Sequence, residues 1–361
     1  MNVNLQNVNS IHKPRIFNNP ERFVEGWYWV IPSKHLGVGK VKAVTILGRE
    51  LAIYRGKDKR VVIVDAYCPH MGAHLAEGKV EGNELRCFFH HWKFDAQGFC
   101  VDIPCLDEPI TVKLKTWPTA EKYGMIWVWT GEVPKQPLPF VLELENKECD
   151  VAFGDYFLMN CHPNAVMINP IDSQHFNTVH KLPSEIHFEK QELNQNAIVF
   201  SNTTSISRNS FLLRLMRPFG KNITHNICYW YGSTNIVTIG TDFRPVHIMF
   251  AVRLLEGGKS EGQVILISKK RQGIFGWLYN RVLLWLTKIV GKYLIQDDMK
   301  IFQTIKFDLK TPIKADQSIM QFVNHLERQK PLMLKSWQLA RSQNVEMKEP
   351  REKWQDTKSN D

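Results

Sequence analysis

The chain has 361 residues, 43% hydrophobic and 23% charged, with a formal net charge of +10. That length accommodates two domains with separate cores, and the composition describes an ordinary globular protein. The positive surface suits an acidic protein partner or an anionic membrane; no basic run with interleaved aromatics tracks a nucleic-acid backbone, so no nucleic-acid partner is expected.

In chain order, the first stretch, MNVNLQNVNSIHKPRIF, lacks an apolar core of signal-peptide length. The seven cysteines are odd in number and scattered, unlike a secreted disulfide framework, so a cytoplasmic location is expected. Residues 24–132 read as a small all-β domain. WYWVI, KVKAVTI, ELAIYR, VVIVDAY and GMIWVW are rich in β-branched and aromatic residues, with turns predicted at RGKDKR and DAQG. GEVPKQPLPF (Gly131 to Phe140) carries three prolines and reads as a linker. Over 140–340, strands are predicted at 151–161, 197–207, 247–254 and 263–268. Helices are predicted from Pro170, over about 274–308 and over about 317–340. Together these give an α+β fold, an antiparallel sheet with helices on one face. The tail, 341–361, is polar and reads as flexible.

CPHMGAHLAEGKVEGNELRCFFHHW holds the strongest chemical signal. Cys68 and His70 are two apart, Cys87 and His90 three apart. Two short Cys/His pairs on two loops of a β domain suit a Rieske [2Fe-2S] cluster, with thiolates on one iron and imidazoles on the other. Structural zinc is the alternative, but such sites more often pair Cys with Cys and His with His. His91 is a rival to His90; the tight-loop spacing from Cys87 favours His90. His74 reads as a loop residue, and the other five cysteines as inert thiols.

NPIDSQHFNTVH (Asn169 to His180) allows two readings. Asn169 suits an N-cap, Pro170 the first helical position and Asp172 the third. His175 and His180, five apart, are about 140° apart on a helix. They converge on a metal only if the helix widens or the metal sits to one side. A 2-His-1-carboxylate site needs a third ligand, and LIQDDMKIFQTI offers Asp297 and Asp298. Asp298 falls inside the apolar stripe of Leu294, Ile295, Ile301, Phe302 and Ile305. A carboxylate turned into a core is costly unless paired or metal-bound, so Asp298 is preferred.

Cys68-x-His70, then Cys87-x-x-His90-x-Trp92, the following FDAQGFCVDIP, and NPIDSQHFNTVH together resemble the Rieske non-haem iron ring-hydroxylating oxygenases, over roughly residues 24 to 310. Within them the chain is most similar to the branch of 3-ketosteroid hydroxylases and cholesterol desaturases. The resemblance implies a helix-grip-like catalytic domain and a mononuclear Fe(II) held by His175, His180 and Asp298. It also implies a homotrimer, in which Asp172 bridges His175 to a cluster histidine of a neighbouring subunit. The implied protein is a terminal oxygenase that hydroxylates, dihydroxylates, desaturates or demethylates an apolar ring-containing substrate with O2. Electrons would come from a flavin-dependent NAD(P)H reductase, with or without a ferredoxin; no dinucleotide-binding glycine fingerprint occurs here. A Rieske electron-transfer protein without oxygenase activity is the alternative. The chain departs from the family at His91, where many members have glycine.

Gly273 to Ile295 is long and apolar, but Arg281, Lys288 and Lys292 argue against a spanning helix. Two readings stay open: a core helix that carries Asp298 inward, or a segment in peripheral contact with a lipid surface.

Overall fold

The computed structural model describes residues 15–107, 110–180, 186–205, 222–240 and 245–339. The 341–361 tail and the end of the strand expected at 197–207 lie outside the described residues. The chain groups into two compact units, one built from residues 36–44 and 50–117, the other from residues up to 35, 45–49 and 118–339.

The smaller unit is all β. Val41–Ile46, Arg49–Arg55, Val61–Asp65 and Thr116–Trp117 form one antiparallel sheet; Lys79–Glu81, Glu84–Arg86, Lys93–Phe94 and Cys100–Asp102 form another. Alternating apolar residues supply its core, where Tyr54, Leu85 and Phe94 are fully buried beside Cys68 and Cys87.

The larger unit is built on a seven-stranded antiparallel sheet. Its order is Cys149–Met159, Ser260–Lys269, Val246–Leu254, Thr234–Gly240, Asn222–Trp230, Ala197–Ser205, Glu189–Asn194. Glu189–Asn194 is an edge strand, and its exposed charged residues discourage further pairing. Its polarity also hides it from a reading based on apolar alternation. One face of the sheet, with Ile265, Ile267, Met249 and Ala251, enters the main core with Met125, Trp127 and Trp129. Those three belong to a smaller sheet of Thr119–Lys122, Met125–Trp129 and Trp27–Pro32.

Five helices follow: α1 (Pro163–Ile168), α2 (Ser173–Thr178), α3 (Gly273–Thr304), α4 (Gln317–Glu327) and α5 (Leu334–Leu339). The opposite face of the sheet meets α1, α3 and α4, whereas Trp337 of α5 packs on Phe23 and donates to the Ile46 carbonyl at 2.9 Å. Leu284 of α3 packs on Val264 and Leu266. Phe322 of α4 packs at a tilt of 45° on Tyr229, ring centroids 4.6 Å apart, and the Tyr229 hydroxyl donates to the Met167 carbonyl of α1 at 2.7 Å.

The helix predicted over 317–340 is two helices. Pro331 lacks an N–H and disfavours helical backbone before it. The chain instead forms a short strand, Pro331–Met333, paired with Arg22–Val24.

In α3, at about 100° per residue, Asn280, Leu284, Asp298 and Phe302 share an arc of about 40°. All four are buried. Asn280 Nδ2 donates to Asp150 Oδ2 at 2.6 Å and to the Lys269 carbonyl at 2.8 Å, which pins this face to the sheet. Phe275, Val282, Ile289 and Tyr293 fall on the opposite arc and are exposed, Phe275 by 85% and Tyr293 by 75%. The helix is therefore apolar on both sides. No helix among the described residues is long and apolar enough to cross a membrane.

Candidate metal centres

Two tight loops carry the Cys/His pairs. In the first, the Gly72 N–H donates to the Cys68 carbonyl and the Cys68 N–H to the Ala73 carbonyl, both at 2.9 Å. In the second, the Cys87 N–H donates to the Trp92 carbonyl at 2.9 Å. The sulfurs are buried, and the imidazoles lie at the exposed ends of the loops. His70 and His90 have ring centroids 4.7 Å apart, and His70 stacks on Trp92 at 4.4 Å. Among the described residues His91 makes no such contact. Its φ of +60° places it in the left-handed region, where glycine is unstrained and histidine is one of the better-tolerated alternatives. His74 caps the short 3-10 turn Leu75–Glu77 by accepting from the Ala76 N–H at 3.1 Å. Burial, with the Cys87 sulfur adding to it, pushes the Cys68 thiol up to about 12. Two buried thiolates there need a cationic partner, and a donor set of two buried sulfurs and two solvent-edge imidazoles fits a Rieske cluster.

The second group is formed by His175, His180 and Asp298. Their ligand atoms all lie within 4.8 Å of one another. His175 Nε2 is 3.0 Å from His180 Nε2 and 3.0 Å from Asp298 Oδ1; His180 Nε2 is 3.5 Å from the same oxygen. Neighbouring ligands of an octahedral ion held at about 2.1 Å are about 3.0 Å apart, so the three donors occupy one face. Asp298 is 6% exposed, and Oδ1 is buried without a hydrogen-bond partner. Such an oxygen, beside two imidazole nitrogens, calls for an explanation, and a bound cation supplies one. Asp297, one residue earlier, is exposed and paired with Lys300 Nζ at 2.9 Å.

The helix start differs from the sequence expectation. Asn169–Ile171 is a 3-10 turn, and Asp172, not Asn169, is the N-cap of α2. Asp172 Oδ1 accepts from the N–H groups of Gln174 at 3.0 Å and His175 at 3.2 Å. Asn169 is thereby released from capping, and its Nδ2 donates to Asp298 Oδ2 at 3.0 Å. The histidines converge without a widened helix. The helix ends at Thr178, and His180 lies past the Val179 C-cap, its ring perpendicular to that of His175 at 4.6 Å.

The three donors line a cavity of about 370 Å³ between the sheet and α3. Phe176, Val237, Ile248, Phe250, Leu266 and Phe302 give it an apolar wall. His225 also lines it, and burial pushes this imidazole down to about 4, so it is neutral. Sequence reading gave Asn169 only a capping role and did not single out His225. The usable signal was a polar residue on the inward register of an otherwise apolar strand.

This arrangement of a small Cys/His β unit and a seven-stranded sheet gripping a long helix has known counterparts. Residues 26–118 match the Rieske [2Fe-2S] domain family. Cholesterol 7-desaturase of Bombyx mori is 37% identical over 164 residues, 45% of this chain and 36% of that protein. The oxygenase component of 3-ketosteroid-9-alpha-monooxygenase of Rhodococcus rhodochrous is 30% identical over 169 residues, 45% of each chain. The matched stretch thus spans less than half the length of these relatives. Dicamba monooxygenase has the same fold, with a TM-score of 0.63 at 18% identity, over 85% of this chain and 98% of that one. The chain thus contains a Rieske [2Fe-2S] domain, is similar in sequence to these relatives over about half of its length, and shares the fold of dicamba monooxygenase.

Proposed function

We propose that this chain is a terminal oxygenase that uses supplied electrons and O2 to oxidise an apolar, ring-containing substrate. The observation that carries this reading is the His175–His180–Asp298 face with its unpartnered Oδ1, opening into an apolar cavity. In this reading residues 24–132 form the Rieske domain and 140–340 the catalytic domain. Cys68, His70, Cys87 and His90 hold the [2Fe-2S] cluster; His175, His180 and Asp298 hold mononuclear Fe(II). Bound there, the iron supplies O2 activation and the cluster supplies electrons. The chain's own residues do the rest. Asn169 fixes the Asp298 carboxylate so that Oδ1 is presented to the ion, and the apolar wall orients the substrate and excludes water. Asp172 orients α2 and links the two centres across the subunit boundary of a homotrimer. Electrons arrive from a flavin-dependent NAD(P)H reductase, directly or through a ferredoxin, in the cytoplasm.

The intact triad favours this over a pure electron carrier. Iron analysis separates the two: three irons per chain for the oxygenase, two for the carrier. Turnover of an apolar substrate panel with a surrogate reductase, read by mass as product gain of oxygen or loss of hydrogen, tests the activity itself. No product from any ring compound, with both centres loaded, overturns it.

The exposed arc of α3 supports a second element of the proposal, peripheral contact with an anionic bilayer. From Gly273 to Gln296 the helix contains no acidic residue, and it is rich in exposed aromatics such as Phe275, Trp285 and Tyr293. Arg281, Lys288 and Lys292 form a flank of net positive charge, with both lysines beside Asp155 at 3.6 and 3.7 Å. Thr287, Lys288, Gly291 and Lys292 of the same helix line the cavity, so the contact would bring its wall to the source of an apolar substrate. Purified protein should float with anionic vesicles in low salt and release in high salt, and Trp285→Asp should weaken flotation. Absence of salt-sensitive binding overturns this element.

A further inference from the structure

On α3, Asn280, Leu284, Asp298 and Phe302 share the buried arc that faces the sheet. Gly291 falls in the middle of that arc, two turns after Leu284 and two turns before Asp298. It lines the cavity and is half-buried. A Cβ built on Gly291 would meet no atom of a described residue within 4 Å. The arc is therefore packed at both ends and stands clear of its surroundings in the middle.

Nothing in the fold calls for a glycine there. Inside a helix, glycine is destabilising relative to alanine. A left-handed backbone or a close approach would account for it, and Gly291 has neither. Its counterparts do show close approach. A Cβ on Gly154, in the facing wall of the cavity, would meet Val264 Cβ at 2.8 Å, and one on Gly276 of the same helix would meet Arg271 Cβ at 2.7 Å. What Gly291 leaves is space, and that space lies at the margin of the cavity. Six lining residues are exposed: Asp155, Tyr156, Lys288, Lys292, Gln296 and Ile239. The first five flank Gly291 on α3 or lie on the facing edge strand, Cys149–Met159. That strand shifts register between Phe153 and Tyr156, a bulge that bends it beside the helix. Lys288 and Lys292 reach across to Asp155 at 3.6 and 3.7 Å, and all three side chains are well exposed. Pairs so open to water hold weakly, so the rim here is made of side chains that move aside at little cost.

We infer that the cavity is entered through the gap between α3 and the bulge at Gly154–Asp155, and that Gly291 is the specificity-determining residue that sets how wide a ring system passes. The inference rests on the cavity being the substrate pocket of the proposed oxygenase. A flat molecule slides past bare backbone at Gly291, where any larger side chain would stand in its way. Two turns further along α3, about 10 Å, it reaches Asp298.

The test follows pyrene, and the narrower anthracene, binding to the full chain by stopped-flow fluorescence of each probe. Gly291→Phe places a ring in the gap. A residue that controls entry slows association and dissociation together, whereas one that only reduces cavity volume weakens binding through faster dissociation. Gly291→Phe should slow both pyrene rates by about tenfold, leave the affinity within about threefold, and slow anthracene less. No pyrene binding to wild type, unchanged association in Gly291→Phe, affinity lost through faster dissociation, or equal slowing of the two probes overturns the inference. Gly291→Ala tests the open space by itself. Its thermal midpoint should rise, because alanine favours the helix and its methyl group meets nothing, and both probes should associate at near wild-type rates. A lower midpoint shows that packing demands the glycine and overturns the inference. Binding needs neither electrons nor O2, so failure of the oxygenase reading, seen as two irons per chain or no product, is scored separately.

Discussion

Asn169 and Asp298 meet across 129 positions of sequence, Nδ2 to Oδ2 at 3.0 Å, and this one bond decides which carboxylate oxygen faces the two imidazoles. Partners that orient a ligand in this way are worth about 10–100-fold in metal affinity. Asn169→Ala should lose mononuclear iron to a chelator at about that much lower chelator concentration, with the cluster spectrum unchanged. Asp298→Ala should lose that iron outright, and Asp297→Ala, altered at an exposed position, should keep it. Iron counting with visible absorption reads all three; iron loss in Asp297→Ala but not in Asp298→Ala reverses the assignment.

His91 occupies a left-handed backbone position next to His90. For a residue with a side chain this costs about 1–2 kcal/mol, partly offset by the greater unfolded-state freedom of glycine. His91→Gly should therefore stabilise the chain by about 0.5–1 kcal/mol in denaturant unfolding while retaining the cluster absorption. Loss of the cluster in His91→Gly would show that His91, not His90, is the ligand.

Asp172→Asn keeps an oxygen that can accept from Gln174 and His175, and removes the charge. If Asp172 links the two centres, the variant should hold both metals yet re-oxidise its reduced cluster far more slowly with substrate and O2. If it only caps α2, stability should fall by about 0.5–1 kcal/mol and re-oxidation should survive. Rapid-mixing absorbance separates these outcomes.

His162 caps α1 by accepting from the Asn164 N–H at 3.2 Å, and burial pushes its imidazole down to about 4. The unfolded chain binds a proton near pH 6.5 that the folded chain refuses until about 4. Its contribution is fully present above 6.5 and is lost as pH falls through that window, by up to about 3 kcal/mol. His325 is displaced in the same direction, also chiefly by burial. The urea midpoint should fall between pH 6.5 and 4, and less steeply in His162→Asn, which keeps a capping acceptor. An identical slope in the variant rules His162 out as a source.

Legibility differed by kind of signal. The Cys/His loops could be read directly because all four residues fall within positions 68–90 and their spacing is local. Asp298 could be chosen over Asp297 because burial of a carboxylate is visible as a break in an apolar stripe, and the structure finds it buried with Phe302 on the same arc. The start of α2 was misplaced because Asn169 and Asp172 are both good capping residues. Only the tertiary demand of Asp298 for a donor takes Asn169 out of that role. The convergence of His175 and His180 depends on a helix that stops at Thr178, and no glycine or proline marks that stop. The strands Asn222–Trp230 and Thr234–Gly240 went unread, and with them His225.

The 129-position span also sets an order of assembly. The cluster loops close over a handful of residues soon after they are synthesised. The carboxylate that completes the other centre is on a helix that follows the last strand of the sheet. A nascent chain stopped before Asp298 has every proposed cluster ligand but only two of the three proposed iron ligands, and lacks the last turns of α3, from Asp298 to Thr304. Closure over so long a loop is slow, and the ion can bind tightly only after it. Iron loading therefore reports completion of the sheet and helix together, whereas cluster colour reports only the early loops.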